Sequence, residues 1–252
     1  MVEVFFWPAL VAYGEAAVAY ASPRFTRLAT WGVRIGWLAQ TALLAVQAAR
    51  AEGFPWTTWA GSLNLFVWLV VGAYLVWGCR PRYRLLGLAV MPVAVLMLVA
   101  AWLGGGTGAA ERSDLGSVFL VLHVGLVLAA FAGFTLAAAL AALYLVEERR
   151  LQRRAADILR LRLPSLVVLE RVIGKTILVS LPLLTLGLVI GGVRLWQDGG
   201  GIDTLMAATI LAWLVYGAFL VLRPAGRTAA HLVLLGFALV VLVRIVLAGT
   251  HS

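Results

Sequence analysis

Residues 118–150 read VFLVLHVGLVLAAFAGFTLAAALAALYLVEERR, and this stretch decides the class of fold. No charged residue interrupts it before Glu147. A bilayer core of about 30 Å is crossed by roughly 20 apolar residues in a helix, and this run is longer. A membrane barrel strand would instead alternate polar and apolar residues over about ten positions. The stretch therefore reads as a membrane helix closed by a Glu-Glu-Arg-Arg cluster.

The rest of the chain agrees. Of its 252 residues 63% are hydrophobic and 12% charged, with a mean hydropathy of +1.00. Soluble domains average about 45–50% apolar and about 25% charged residues, so this chain lacks the polar residues to coat a water-exposed surface. Disorder requires low hydrophobicity and is excluded as well. The expected fold is all-α: a polytopic membrane helix bundle with about eight transmembrane helices. They fall at roughly 3–21, 29–49, 58–78, 85–103, 116–146, 171–195, 204–222 and 228–250. The chain reads as one integral-membrane domain over 1–252, with four helices in 1–110 and the rest in 116–252. Pro8, Pro92 and Pro182 fall within spans, where neighbouring helices make proline tolerable. The N-terminus opens on an apolar run without a basic leader, so it reads as a retained span and not as a removable signal.

The net charge is +9, from 20 Lys and Arg against 11 acids. Fourteen of these cations fall in the loops after spans one, three, five and seven: Arg24 and Arg27; Arg80, Arg82 and Arg84; seven arginines from Arg149 to Arg171; and Arg223 and Arg227. The opposite side has Arg50, Arg112 and Arg194, and Arg34, Lys175 and Arg244 lie inside spans. By the positive-inside rule the Arg-rich loops are cytoplasmic and both termini lie outside. The basic surplus is thus a topology signal, and no nucleic-acid partner is needed to explain it. The Arg-rich segment 147–170 is either a helix lying on anionic inner-leaflet lipid or a solvated hairpin between two halves. The single cysteine, Cys79, excludes a disulfide framework and reads as an inert boundary thiol.

Ionisable residues inside spans default to functional hypotheses. Of the three histidines, topology puts His123 and His251 at the outer face and His231 near the cytoplasmic start of span eight. Two imidazoles facing one another across a bundle can ligate a heme iron from both sides, hold another transition metal, or be interfacial polar residues. Arg244 precedes His251 by seven residues, on the same helical stripe. It either meets a heme propionate, which suits bidentate arginine, or snorkels to the headgroups. Arg194 and Trp196 end span six at that face, and Asp198 and Asp203 bracket the next loop. Glu15 reads as the one buried acid, a candidate proton-relay residue or a helix–helix hydrogen-bonding group. Gln40, Gln47 and Asn64 read as polar glue between helices.

Other features are structural in character. Gly125, Ala129, Gly133, Ala137 and Ala141 form a small-residue ridge, and Gly187 and Gly191 form another, each admitting a neighbouring helix. Most tryptophans sit near predicted interfaces as an aromatic belt. The Gly-Gly-Gly runs at 104–106 and 199–201 lack a following Lys-Ser/Thr and read as flexible turns. No nucleophile motif, HExxH or two-fold repeat of the transporter type is present.

The stretch 118–150 resembles the His-containing helix of the cytochrome c assembly proteins, in the ResC/CcsA and HemX-like branch. The resemblance continues through Leu163-Pro164-Ser165-Leu166, Leu169-Glu170, the LTLGLVIGG run at 184–192, Trp213, Tyr216 and Arg223, to the closing VRIVLAGTHS. It implies that His123 and His251 are axial ligands of heme, heme b being the expected cofactor, with Arg244, Arg194, Trp196 and Asp203 around it. It also implies a second membrane protein of the assembly system as partner, with apocytochrome c and membrane lipid beside it. The full synthetases carry a tryptophan-rich loop, Trp-Gly-x-x-Trp-x-Trp-Asp. Here that loop reads LWQDGGGID, with Trp196 and Asp203 as counterparts and Thr204 where a lysine is usual. The departure points toward the HemX-like members and toward an assembly component in place of a stand-alone enzyme. The alternative is a membrane regulator or scaffold of heme biosynthesis acting through the segment 147–170.

Overall fold

The computed structural model describes residues 2–50, 56, 58–77, 84–108, 118–152, 165–197 and 204–250. Eight α-helices account for nearly all of them: α1 Phe6–Ala19, α2 Thr26–Arg50, α3 Trp59–Trp77, α4 Arg84–Leu103, α5 Val118–Gln152, α6 Leu166–Gln197, α7 Thr204–Leu222 and α8 Gly226–Thr250. Each coincides with one of the eight expected spans, and no strand occurs among the described residues. Helix α5 runs past the apolar stretch to Gln152, because Glu, Arg, Leu and Gln all favour helix and Arg149 and Arg150 complement its C-terminal dipole.

Among the described residues four helices are long and apolar enough to cross a membrane: α3, α4, α5 and α6. Helices α1 and α2 differ for local reasons. Helix α1 has 14 residues, about 21 Å. Helix α2 has 25 residues, but Arg34, Gln40 and Gln47 lower its hydropathy.

The chain divides into two compact units, Met1–Val121 and Leu122–Ser252. In the first, α2 lies against α1 through Gly32 and Gly36. A Cβ at Gly36 would stand 2.6 Å from the Tyr13 ring, and one at Gly32 would stand 3.0 Å from the Ala12 carbonyl oxygen. That close approach permits a buried polar network. Tyr13 Oη donates to Gln40 Oε1 at 2.8 Å, and Gln40 Nε2 donates to Asn64 Oδ1 at 2.9 Å. Gln47 Nε2 donates to the carbonyls of Gly106 and Gly108, at 3.1 and 2.9 Å. The expected polar glue is thus one connected chain through α1, α2 and α3.

The first Gly-Gly-Gly run is a turn, but a fixed one. The Gly105 N–H donates to Trp102 O at 2.9 Å and the Gly106 N–H to Ala101 O at 2.8 Å, and Gly105 has φ +79°. These are the bonds of a Schellman ending, which needs a left-handed residue at Gly105. Gly106 then lies against the Ala60 backbone, where no Cβ could fit. The second run, at 199–201, lies outside the described residues. Glu15 is exposed on α1 and is not the buried acid the sequence suggested. The side of α1 that packs is Ala9, Ala12, Tyr13 and Ala16. Among the described residues the buried acid is Glu147, near the end of α5.

In the second unit the small-residue ridge of α5 is used unevenly. A Cβ at Gly133 would collide with Ser180 of α6, whereas Gly125 has open space around it. Phe134 of α5 stacks on Tyr216 of α7 at 3.9 Å, and the Tyr216 hydroxyl donates to Val233 O of α8 at 3.3 Å. Trp213 Nε1 donates to Thr185 Oγ1 at 2.8 Å, tying α7 to α6. Glu170 also has a role: it accepts the Gly226 N–H at 2.6 Å and so caps the start of α8. Arg227 pairs with Glu148 at 3.7 Å across the same corner.

Gly133→Val is expected to lower unfolding stability in detergent by about 1–3 kcal/mol, the usual cost of overpacking. Gly125→Ala should stay within about 0.5 kcal/mol of wild type. Circular dichroism during heating measures both, and equal losses would contradict the uneven ridge.

Candidate functional site

His123 stands on the second turn of α5, in a seat made by α6. Its Nδ1 lies 2.7 Å from the Gly187 carbonyl oxygen. A carbonyl only accepts, so Nδ1 carries the proton. In the neutral ring that leaves the Nε2 lone pair free to bind a metal. A ligating histidine is commonly oriented this way, by donating its other ring nitrogen to a backbone carbonyl.

The seat exists because of two glycines one turn apart. A Cβ at Gly191 would fall 2.5 Å from His123 Cε1 and 2.7 Å from Nδ1. Side chains tilt toward the N-terminus of their helix, so one at position 191 would cover the Gly187 carbonyl. Gly187 in turn makes room for Val127, whose Cγ2 would lie 2.8 Å from a Cβ there. The sequence suggested only helix packing for this pair. Its link to His123 follows from antiparallel register, which places the end of α6 beside the start of α5.

The remaining candidates are distributed as follows. Arg194 follows Gly187 and Gly191 on the same stripe of α6, seven and three residues on. Trp196 lies five residues past Gly191, about 140° around the helix, and is 88% exposed. It belongs to a different face from the His123 seat. Arg244 lies on α8; the side chains of Arg194 and Arg244 fall outside the described residues, as do Asp198, Asp203 and His251. Backbone register still constrains α8. Tyr216 touches Phe134, Val233 and Gly236, which fixes a common level on α5, α7 and α8. Counting 1.5 Å per residue, His123 stands about 16 Å from that level, Arg244 about 12 Å and Thr250 about 21 Å. The last turns of α8 therefore bracket His123 in depth. His231 is exposed near the start of α8, at the opposite end.

These features define a helical membrane protein with an oriented histidine at its Arg-poor end. Comparison with known proteins gives the family. Residues 56–248 match the cytochrome c assembly protein model, and the chain belongs to that family. It is 29% identical to Protein HemX of Brevibacillus brevis, over 75% of this chain and 70% of that one. It is 25% identical to the cytochrome c biogenesis protein CcsA of Microcystis aeruginosa, over 92% of this chain and 87% of that one.

The seat can be checked without any ligand. Nitrogen-15 NMR of the labelled histidines should show the neutral ring of His123 as the Nδ1–H tautomer. Gly191→Ala should shift those resonances and Gly192→Ala should not, since Gly192 has open space around it. An Nε2–H tautomer in wild type would refute the assignment.

Proposed function

We propose that this protein serves cytochrome c biogenesis by holding heme at its Arg-poor face, the outer face of the bacterial cytoplasmic membrane. His123 and His251 would hold the iron, heme b being the form bound. Arg244 and Arg194 serve the propionates, and Trp196 and Asp203 belong to the loop side of the site. The observation that carries the reading is the His123 seat: Nδ1 is committed to the Gly187 carbonyl, which leaves Nε2 available to a ligand. Membership of the cytochrome c assembly family supports heme as the cargo. The iron supplies the coordination; the chain's own residues bind, orient and shelter it. A second protein of the assembly system and apocytochrome c are the expected partners. Both termini then lie outside, with the Arg-rich loops in the cytoplasm.

The similarity to Protein HemX and the reduced tryptophan-rich loop favour a second reading, a membrane scaffold of heme biosynthesis working through residues 147–170. Helix α5 carries this segment as far as Gln152, and 153–164 lie outside the described residues.

The absorption spectrum of the purified chain supplied with heme tests the first reading. A Soret band with sharp low-spin bands on reduction is expected. His123→Ala and His251→Ala should each weaken or shift it, while His231→Ala leaves it unchanged. Gly191→Leu should weaken it and Gly192→Leu should not. Absence of bound heme in wild type, or its loss in His231→Ala alone, overturns the reading. The scaffold reading predicts a cytoplasmic partner in pull-downs that is lost when Arg149, Arg150, Arg153 and Arg154 are neutralised.

A further inference from the structure

Helix α2 presents an outward stripe in which cations and an aromatic ring recur at helical spacing: Arg27, Trp31 and Arg34. Positions i, i+4 and i+7 share one face. All three are exposed, Trp31 at 59%. Around them the surface is apolar, with Leu28, Ile35 and Leu38 more than half exposed. The opposite face of α2 is buried and holds Gln40 and Gln47 within the interior network. The low hydropathy of α2 thus comes partly from side chains already satisfied inside the unit, and its outer face is that of a lipid-facing helix.

Arg34 is anomalous on that face. It lies seven residues beyond Arg27, about 10 Å deeper along the helix. Among the described residues it has no ion pair; it stands against the Trp31 ring, the guanidinium carbon being 5.1 Å from the ring centroid. An arginine at membrane depth needs an anion or a path to the interface. Trp31, one turn nearer the Arg-rich end, draws the guanidinium in that direction through a cation–π contact. Arg27 stands a further turn out. Two guanidiniums separated by a tryptophan, on a face otherwise apolar, match a phosphate with acyl chains below it.

We propose that Arg27, Trp31 and Arg34 form a binding site for one anionic phospholipid in the leaflet at the Arg-rich end. The phosphate lies between the two guanidiniums, and the acyl chains run along Ile35 and Leu38. Topology alone requires no arginine as deep as Arg34, because Arg24 and Arg27 already mark that side. The site does not depend on heme.

Native mass spectrometry of the full chain, released from detergent with phosphatidylglycerol or phosphatidylcholine, tests this. Wild type should retain phosphatidylglycerol in preference to phosphatidylcholine. Arg34→Gln and Arg27→Gln should each weaken retention by about fivefold, as expected for one basic side chain at an anionic surface. Trp31→Leu should weaken it less, and Arg34→Lys should restore most of it. Lys175→Gln, on α6, is the control and should have little effect. Unchanged helicity and melting of the variants, by circular dichroism, establish that they are folded. Equal retention of the two lipids, wild-type retention in Arg34→Gln, or displacement of the lipid by millimolar glycerol phosphate would each overturn the proposal, the last by assigning the site to a soluble phosphate.

Discussion

A polar side chain on a helix in an apolar medium must find its partner within the protein, because no water is available to take that role. Gln40 shows how far this constraint reaches. Its carbonyl accepts the Tyr13 hydroxyl of α1, and its amide donates to both the side chain and the backbone of Asn64 on α3. Three helices are held in register by one side chain. The Asn64 amide then reaches Gln47 Oε1 and Gly106 O, at 3.4 and 3.3 Å, so the turn after α4 joins the same chain. In a low dielectric such bonds are strong when complete, and any group left unpaired is costly. The network therefore specifies one arrangement of α1, α2, α3 and the 104–108 turn.

Glycine makes this possible in both units, though differently in each. In the first unit Gly32 and Gly36 bring α1 close enough for Tyr13 to reach Gln40. In the second, Gly191 exposes a carbonyl. The Gly187 oxygen is one of the helix's own acceptors, yet a carbonyl has two lone pairs, and the bare stretch above it lets an imidazole use the second. Hydroxyls are satisfied by a related economy within one helix: Thr135, Thr176 and Thr185 each donate to the carbonyl four residues earlier, at 2.8 Å. His123 behaves differently. Its ring meets an acceptor on another helix, the Gly187 carbonyl, and so its orientation records the packing of α5 on α6.

The eight helices were legible because hydropathy is a local property of the chain. What sequence could not supply is which face of a helix is covered. Glu15 looked buried because its span is apolar, but Ala9, Ala12, Tyr13 and Ala16 form the packed side and turn it outward. Glu147 looked like the rim of a loop, yet α5 continues past it and buries it. The glycine run at 104–106 looked flexible because composition does not reveal a left-handed residue followed by backbone-to-backbone packing. Of the candidate site, His123 and its end of the bundle were readable from charge asymmetry. Its seat was not, because Gly187 and Gly191 gain meaning only once the antiparallel offset of α5 and α6 is known. Trp196 shares that end with His123 but not the face.

The same geometry accounts for how a chain of net charge +9 fits an apolar surrounding. Among the described residues the fully buried polar side chains are amides and hydroxyls, with Glu147 the single acid. The arginines are surface groups, as Arg24, Arg27, Arg34, Arg171 and Arg223 show. Neutral groups can be satisfied pairwise inside the protein, whereas an arginine inside would need a buried carboxylate, and desolvating both ions costs more than an amide pair does. Polar residues are therefore sorted by charge: neutral groups fix the helices against each other, and cations fix the bundle against the membrane. His123 belongs with the first group by its bond to Gly187, and it alone among them keeps a second ring nitrogen uncommitted.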